Sequence, residues 1–482
     1  MESLPMSILW LLAAAAMTAL LVNILTTSRE KRQAFALPTV GADTSDINTL
    51  KERYFKNDIF QVITPDGPRV FLPRRLAEDL KPFSRHEASG MKALSDVSHR
   101  AAFYSRRINS PKDILQRHIG HYTTIDHESD IMLGAIKIDL NQWTPIELHE
   151  KLLRVVAQAS ARIFVGYPMC RNEEWLDCST RFALDVMVGG EKLKQWHPWL
   201  RPVAQHFIPE MRRIRGDHQL ALELLLPELQ KRSQERENAG PAPHDMIEWM
   251  EQRAKKLGDT SFDSKEMANL QVLTATAAIF TTRLAIIHVL YDLAARPEYI
   301  EPLKEEIFEV TNQSGGVIRK QHLTQMRKLD SFMKESQRHN PPSIATFQRK
   351  AMIPIDLSNG FHISPGTVVQ CNTNMLDEAP AEWGDPNAFD GFRFYKLRSK
   401  PEDANKFQYA GTSYNSMHFG YGNDACPGRF FASNQIKIIL AHILTNYHFK
   451  FGDGVVGRPK NPMFEVNVLA DPTVEVLFKK IQ

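Results

Sequence analysis

The sequence predicts a mainly α-helical protein with a minor β component, set behind one N-terminal membrane-spanning helix. Three observations lead there. An uncharged apolar run of twenty residues lies near the N-terminus. From Glu147 to Tyr447, apolar residues recur mostly at helical spacing. Strand-like runs are short by comparison and bounded by Pro, Gly, Asn and Asp.

The apolar run is Met6 to Leu25. At about 1.5 Å per helical residue it spans the roughly 30 Å hydrocarbon core. Arg29, Lys31 and Arg32 follow at once, and Glu2 is the charged side chain before it. The positive-inside bias places the remainder of the chain in the cytosol. A cleaved signal peptide is the competing reading, against which stand the length of the run and an n-region without a basic side chain. Pro38 and Gly41 mark a hinge. The division expected is an anchor over 1–28, a basic, proline-containing hinge over 29–50 and one catalytic domain over 51–482.

Along that domain, Phe60 to Ile63 and Arg69 to Leu72 read as strands around a Pro-Asp-Gly-Pro turn. Leu148, Leu152, Val155, Val156, Ala159 and Ile163 make one helical face. Three prolines between Gln195 and Glu210 predict broken helix or loop, and Ala221 to Arg236 returns to helix. Ser264 to Ala294 is a long apolar helix, buried on all sides. Pro297 opens another helix as a first-turn proline. Leu329 to His339 is helical until Pro341 and Pro342 stop it. Ile353 to Gln370 has turn and strand character, and Arg429 to Tyr447 is the last helix.

The formal charge of +3 is nearly balanced, and no basic stripe with interleaved aromatics indicates nucleic acid. Four cysteines are too few for a disulfide framework, and no Cys-x-x-Cys pair indicates zinc. His118, His121 and His127 lack an acid-histidine motif and read as surface residues.

The segment that carries chemistry is FGYGNDACPGRF, Phe419 to Phe430. One cysteine sits in a Gly-rich loop that runs into a helix. Gly420, Gly422 and Gly428 let the backbone approach a flat cofactor closely. The helix N-terminus just beyond Cys426 favours a thiolate. A lone cysteine is ordinarily a small buried hydrophobe; the spacing Phe-x-x-Gly-x-x-x-Cys-x-Gly argues otherwise.

With ARIFVG and CRNEEWL (Ala161 to Leu176), PEYIEPLKEEI (Pro297 to Ile307), LDSFMKESQR (Leu329 to Arg338) and FDGFRFYKLR (Phe389 to Arg398), the chain resembles the cytochrome P-450 superfamily. More narrowly, it is similar to fungal members that tailor terpenoids in gibberellin and indole-diterpene pathways. The resemblance implies the cytochrome P-450 fold, an α-helical haem domain with small sheets. It implies haem b (iron protoporphyrin IX) with Cys426 as axial ligand, and Phe419, Gly420, Gly422 and Gly428 as cofactor-binding positions. It matches Glu335-x-x-Arg338 with Arg393 to a structural network on the cysteine side, although an isolated pair at that spacing is ordinarily a weak surface contact. Thr281 corresponds to the threonine that assists dioxygen activation and proton delivery; unaided, such a threonine bonds back to its own helix. Phe280, Ile344, Ala345 and Thr346 fall at substrate-pocket positions.

The activity implied is a haem-thiolate monooxygenase at the endoplasmic reticulum membrane. It would hydroxylate an apolar, terpenoid-like or related secondary metabolite, with electrons from NADPH through NADPH–cytochrome P-450 reductase. Arg429 and Lys437 face that reductase or simply solvent. Three departures stand out. Phe280 replaces an acid before Thr281, which also admits an isomerase or dehydratase needing no reductase. Asp424 replaces a basic residue two positions before Cys426, where it would repel the haem propionates. Only Asn141 and Gln142 separate Leu140 from Trp143, where the family inserts a helix with basic propionate contacts; the haem pocket would be open there, and an impaired product of a deletion or a wrong gene model is the further alternative.

Overall fold

The computed structural model describes residues 59–90 apart from 65, 66 and 85, and 122–481 apart from 238–241, 261, 373–379 and 465, with 37, 39, 40 and 93 in addition. The N-terminal run Met6 to Leu25, His118 and His121 lie outside the described residues.

The first strands form where the alternation places them, β1 (Phe60–Thr64) antiparallel to β2 (Gly67–Leu72). β3 (Ala88–Ser89) follows. Then come helix α1 (Tyr122–Gly134), strand β4 (Thr144–Ile146) and helix α2 (Leu148–Phe164). Helix α3 (Glu173–Lys194) starts at Asn172, whose side chain accepts the Trp175 N–H at 2.8 Å. Helix α4 (Pro209–Glu237) is longer than the periodicity predicts. Pro209 serves as its first residue, and Pro227 is tolerated inside it on the solvent side.

Helix α5 (Met246–Leu257) runs from an Asp245 cap to Gly258, whose φ of 63° closes it. Helix α6 (Ser264–Ala295) is capped by Asp263, which accepts the Glu266 N–H at 2.8 Å. Helices α7 (Ile300–Thr311) and α8 (Arg327–His339) precede strands β5 (Phe347–Ala351) and β6 (Val368–Cys371). Helix α9 (Arg429–Asn446) leads straight into β7 (Tyr447–Phe451), and β8 (Val476–Lys480) ends the chain's regular structure.

Helices α1, α2, α6 and α9 pack on one another as the central bundle. Polar side chains key their register. Gln435 on α9 donates to the Ser160 hydroxyl at 2.9 Å and to the Val156 carbonyl at 3.2 Å, both on α2. Asp126 on α1 meets His442 on α9 at 2.7 Å, and Glu128 accepts from Gln158 at 2.8 Å and Arg171 at 3.0 Å. Among the described residues, α6 is the helix long and apolar enough to cross a membrane, yet 56% of its most apolar stretch is buried in the protein. It is a core helix, open along one line where Ala277 and Thr281 emerge.

One mixed sheet has the order Thr39–Val40, β1, β2, β6, β5, β3, and a smaller one the order β7, β8, β4. The larger sheet flanks the region where α6, α8 and α9 converge, and that convergence creates the site.

Candidate functional site around Cys426

A cavity of about 460 Å³ lies among α6, α8, the stretch leading into β5, the loop before α9 and the first turns of α9. Cys426, Gly420, Phe419, Thr281 and Thr346 all line it, drawn from segments far apart in sequence. The cysteine loop is shaped by its own backbone. Gly420 has a φ of 73°, and the Cys426 N–H returns to the Phe419 carbonyl at 2.7 Å. A Cβ on Gly420 would stand 3.2 Å from the Asp424 carbonyl, so glycine is required on two counts. The half-buried Cys426 precedes Gly428, the N-terminal cap of α9, and so faces the positive end of the helix dipole. Gly428 also keeps clear the space 4.0 Å from the Cys426 sulfur, while Gly422 (φ 67°) packs beside Lys81.

Thr281 faces the cavity, and its hydroxyl donates to the Ala277 carbonyl at 2.9 Å. The internal helix bond is thus made, and the same side chain lines the cavity. Phe280 is turned out of the cavity lining, and the Arg283 guanidinium lies 4.4 Å from its ring centroid. The residue before Thr281 points about 100° away around α6, which accounts for its absence from the lining of this cavity. Thr346 lines the cavity, but Ile344 and Ala345 join Phe60, Phe71 and Val468 in a separate apolar cluster. Lys437 is buried and donates to the Leu323 carbonyl at 2.8 Å while pairing with Asp330 at 2.7 Å. It presents no face to a partner. Arg429 turns back to the Cys426 carbonyl at 2.8 Å.

Beneath the loop, the Glu335–Arg338 pair is entirely buried, with N–O distances of 2.7 and 2.9 Å. Arg393 donates to both Glu335 oxygens at 3.2 Å, and the Asp390 N–H adds a bond at 3.0 Å. Both arginines also donate to the Ala388 carbonyl. Burial pushes the Glu335 carboxyl upward, but hydrogen bonds from Arg338 and His339 and the Arg338 charge hold it down at about 2. Lys334, on the same helix, is also buried. Its ammonium donates to the Gln408 carbonyl at 3.1 Å and Ser416 at 2.9 Å, and burial lowers it to about 8.

The sequence reading missed several polar groups in the cavity wall, among them Thr282, His288, Gln337, Tyr409 and His418. The His418 imidazole is held near 3 by burial and then by the charges of Lys334 and Arg74. Gln337 carries a usable signal, lying two residues from Glu335 and hence across the helix from the network. Buried atoms of Thr282, Gln337 and His418 have no hydrogen-bond partner among the described residues. A wall with unmet hydrogen-bonding groups, a cysteine at a helix N-terminus and closely approaching glycines fits a bound planar cofactor with an axial thiolate.

Residues 98–478 match the family described as Cytochrome P450, and the chain belongs to that family. It is 65% identical to cytochrome P450 monooxygenase braC of Annulohypoxylon truncatum, over 100% of both chains. It is 36% identical to cytochrome P450 monooxygenase AN1598 of Emericella nidulans, over 88% of this chain and 81% of that one. The solved structure of retinoic acid-bound cyanobacterial CYP120A1 shares the fold, with a TM-score of 0.65 and 16% identity over 92% of this chain and 99% of that one. The enzyme class is cytochrome P450 monooxygenase, an oxidoreductase whose cofactor is haem. The alignment with braC runs over 524 positions against 482 residues here, a shortfall of 42 positions in this chain.

Proposed function

We propose that this chain is a haem-thiolate monooxygenase that hydroxylates an apolar secondary metabolite of terpenoid-like character, with Cys426 as the iron ligand. The observation that carries the reading is the common cavity of Cys426 and Thr281. Haem held by a thiolate supplies the oxidising chemistry. The protein's part is to keep Cys426 deprotonated at the α9 N-terminus, to position the ring through Phe419, Gly420, Gly422 and Gly428, and to exclude water with the apolar wall. Thr281 holds an exchangeable proton at its hydroxyl, with no carboxylate at position 280 to feed it, so water supplies the route. Glu335, Arg338 and Arg393 keep the loop fixed from below.

Electrons come from NADPH through the microsomal reductase. Residues 1–28 anchor the chain in the endoplasmic reticulum membrane, 29–50 form the hinge, and 51–482 form the cytosolic catalytic unit.

The test is a reduced, carbon-monoxide difference spectrum of microsomes containing the full chain. A strongly red-shifted Soret band is expected, and Cys426→Ser should abolish it. An unshifted band in the unsubstituted chain refutes thiolate ligation by Cys426. Turnover without NADPH or dioxygen would identify an isomerase or dehydratase instead.

A further inference from the structure

His418 has no part in the chemistry assigned to Cys426 and Thr281, yet it is built into the same cavity. It directly precedes Phe419, lines the cavity and is 5% exposed. Neither ring nitrogen has a hydrogen-bond partner among the described residues. A neutral imidazole carries one N–H donor and one bare nitrogen, and leaving such groups buried and unmet is costly. Placed in a cavity wall, they call for a partner that enters the cavity.

The charges acting on the ring are those of Lys334, then Arg74 and Arg338, all cations. The Lys334 ammonium is fixed by the Gln408 carbonyl and Ser416, and the Arg74 guanidinium, 3% exposed as a residue, lies 5.6 Å from the Tyr414 ring centroid. This positive surrounding keeps the imidazole neutral and favours an acidic partner. At the far end of the same loop, Asp424 stands where the family carries a base. Its carboxylate accepts the Gly90 N–H at 3.0 Å and lies 3.6 Å from Arg349 Nε, and it brings no positive charge to a cofactor edge. Haem b has two carboxylates, each needing donors where it is buried.

We infer that His418 anchors the cofactor's acidic edge: its imidazole N–H donates to one carboxylate of the bound haem, from the end of the cysteine loop opposite Asp424. The inference rests on haem being held in this cavity through Cys426. The sign of the effect differs between the two states of the protein. Without haem the unmet imidazole is a cost, so an apolar side chain in its place does no harm. With haem the same change discards a charge-assisted hydrogen bond.

The experiment takes the full chain in detergent, reconstituted with haem b or with its dimethyl ester, and follows cofactor transfer to excess apomyoglobin. His418→Phe should release haem b about tenfold faster than the unsubstituted protein, the loss of one charge-assisted hydrogen bond. His418→Gln keeps an N–H donor and should release it at close to the unsubstituted rate. With the dimethyl ester, whose oxygens carry no charge, the ratio for His418→Phe should fall to about twofold. Denaturant unfolding of the haem-free His418→Phe chain should show a stability no lower than that of the unsubstituted chain. Equal release of haem b, an undiminished ratio with the ester, or a haem-free chain destabilised in step with its haem loss overturns the inference. Because a phenyl ring is bulkier than an imidazole, His418→Leu repeats the comparison if His418→Phe does not fold. The carbon-monoxide band distinguishes the two failures: an unshifted band in the unsubstituted holoprotein refutes ligation by Cys426, whereas a red-shifted band with unchanged release refutes the role of His418.

Discussion

Replacing Glu335 by Gln takes the negative charge from between two buried guanidinium groups while keeping the side chain's volume. Glu335 and Arg338 are both 0% exposed and Arg393 is 7% exposed, so neither arginine regains water. Both keep backbone acceptors around Ala388, which limits but does not cancel the loss. Breaking a buried pair of this kind costs about 3–5 kcal/mol. The depressed carboxyl gives a second route to the size. A fall from 4.5 to about 2 corresponds to roughly 3 kcal/mol. The two routes agree.

The sign with pH follows from the same shift. The folded state binds the proton less readily than the unfolded chain, so the stabilisation is fully present above pH 4.5 and is lost as pH falls through about 2. Denaturant unfolding of Glu335→Gln should therefore show a loss of about 3 kcal/mol at neutral pH that shrinks in acid. A double-mutant cycle with Arg393→Met should return a coupling of about 1–3 kcal/mol. A neutral-pH loss below about 1 kcal/mol, or a loss independent of pH, refutes the view that charge at Glu335 holds the network.

Other perturbations test the surroundings. Gly391→Ala places a methyl 2.5 Å from the Phe332 ring and 2.8 Å from Tyr299. It should cost about 1–3 kcal/mol in denaturant unfolding; a neutral result would show that these rings yield. Lys334 is lowered from 10.5 to about 8 by burial, so its charged form penalises folding fully below pH 8 and not at all above 10.5. Stability relative to Lys334→Met should thus rise between those pH values, and a flat difference would place the ammonium in contact with water. Trp175→Ala, at a residue 1% exposed between α3 and the core, should lose about 3–5 kcal/mol, read from the denaturation midpoint.

Much of the architecture is legible because local signals and burial agree. Pro297, Pro341 and Asp263 sit where helices start or stop, and Leu148 to Ile163 packs inward along the face its spacing defines. The loop around Cys426 is legible for a different reason, since glycine positions and a helix start are both written locally. What escapes is whatever depends on contacts between remote segments. Nothing near Asp424 names Arg349 as its counter-ion, and nothing near Lys437 foretells Asp330. Phe280 directly precedes a cavity residue yet is absent from the cavity lining, because one step along a helix turns a side chain by about 100°; Ile344 lies between Pro342 and Thr346 but packs with Phe60, Phe71 and Val468, a contact between remote segments. Helix α4 outruns its prediction because Pro209, the last of three closely spaced prolines that suggest a break, begins a helix instead.

The bundle has a consequence for how the protein is made. The α2–α9 contact between Ser160 and Gln435 joins residues 275 positions apart. At about 5–20 residues per second of synthesis, α2 waits roughly 15–55 s on the ribosome before its partner exists. Cys426 is translated just before that partner, so ligand and closing helix emerge together. The earlier helices spend that interval with the apolar faces that α9 covers in the finished fold still open, so this is the stretch of synthesis in which aggregation competes with folding.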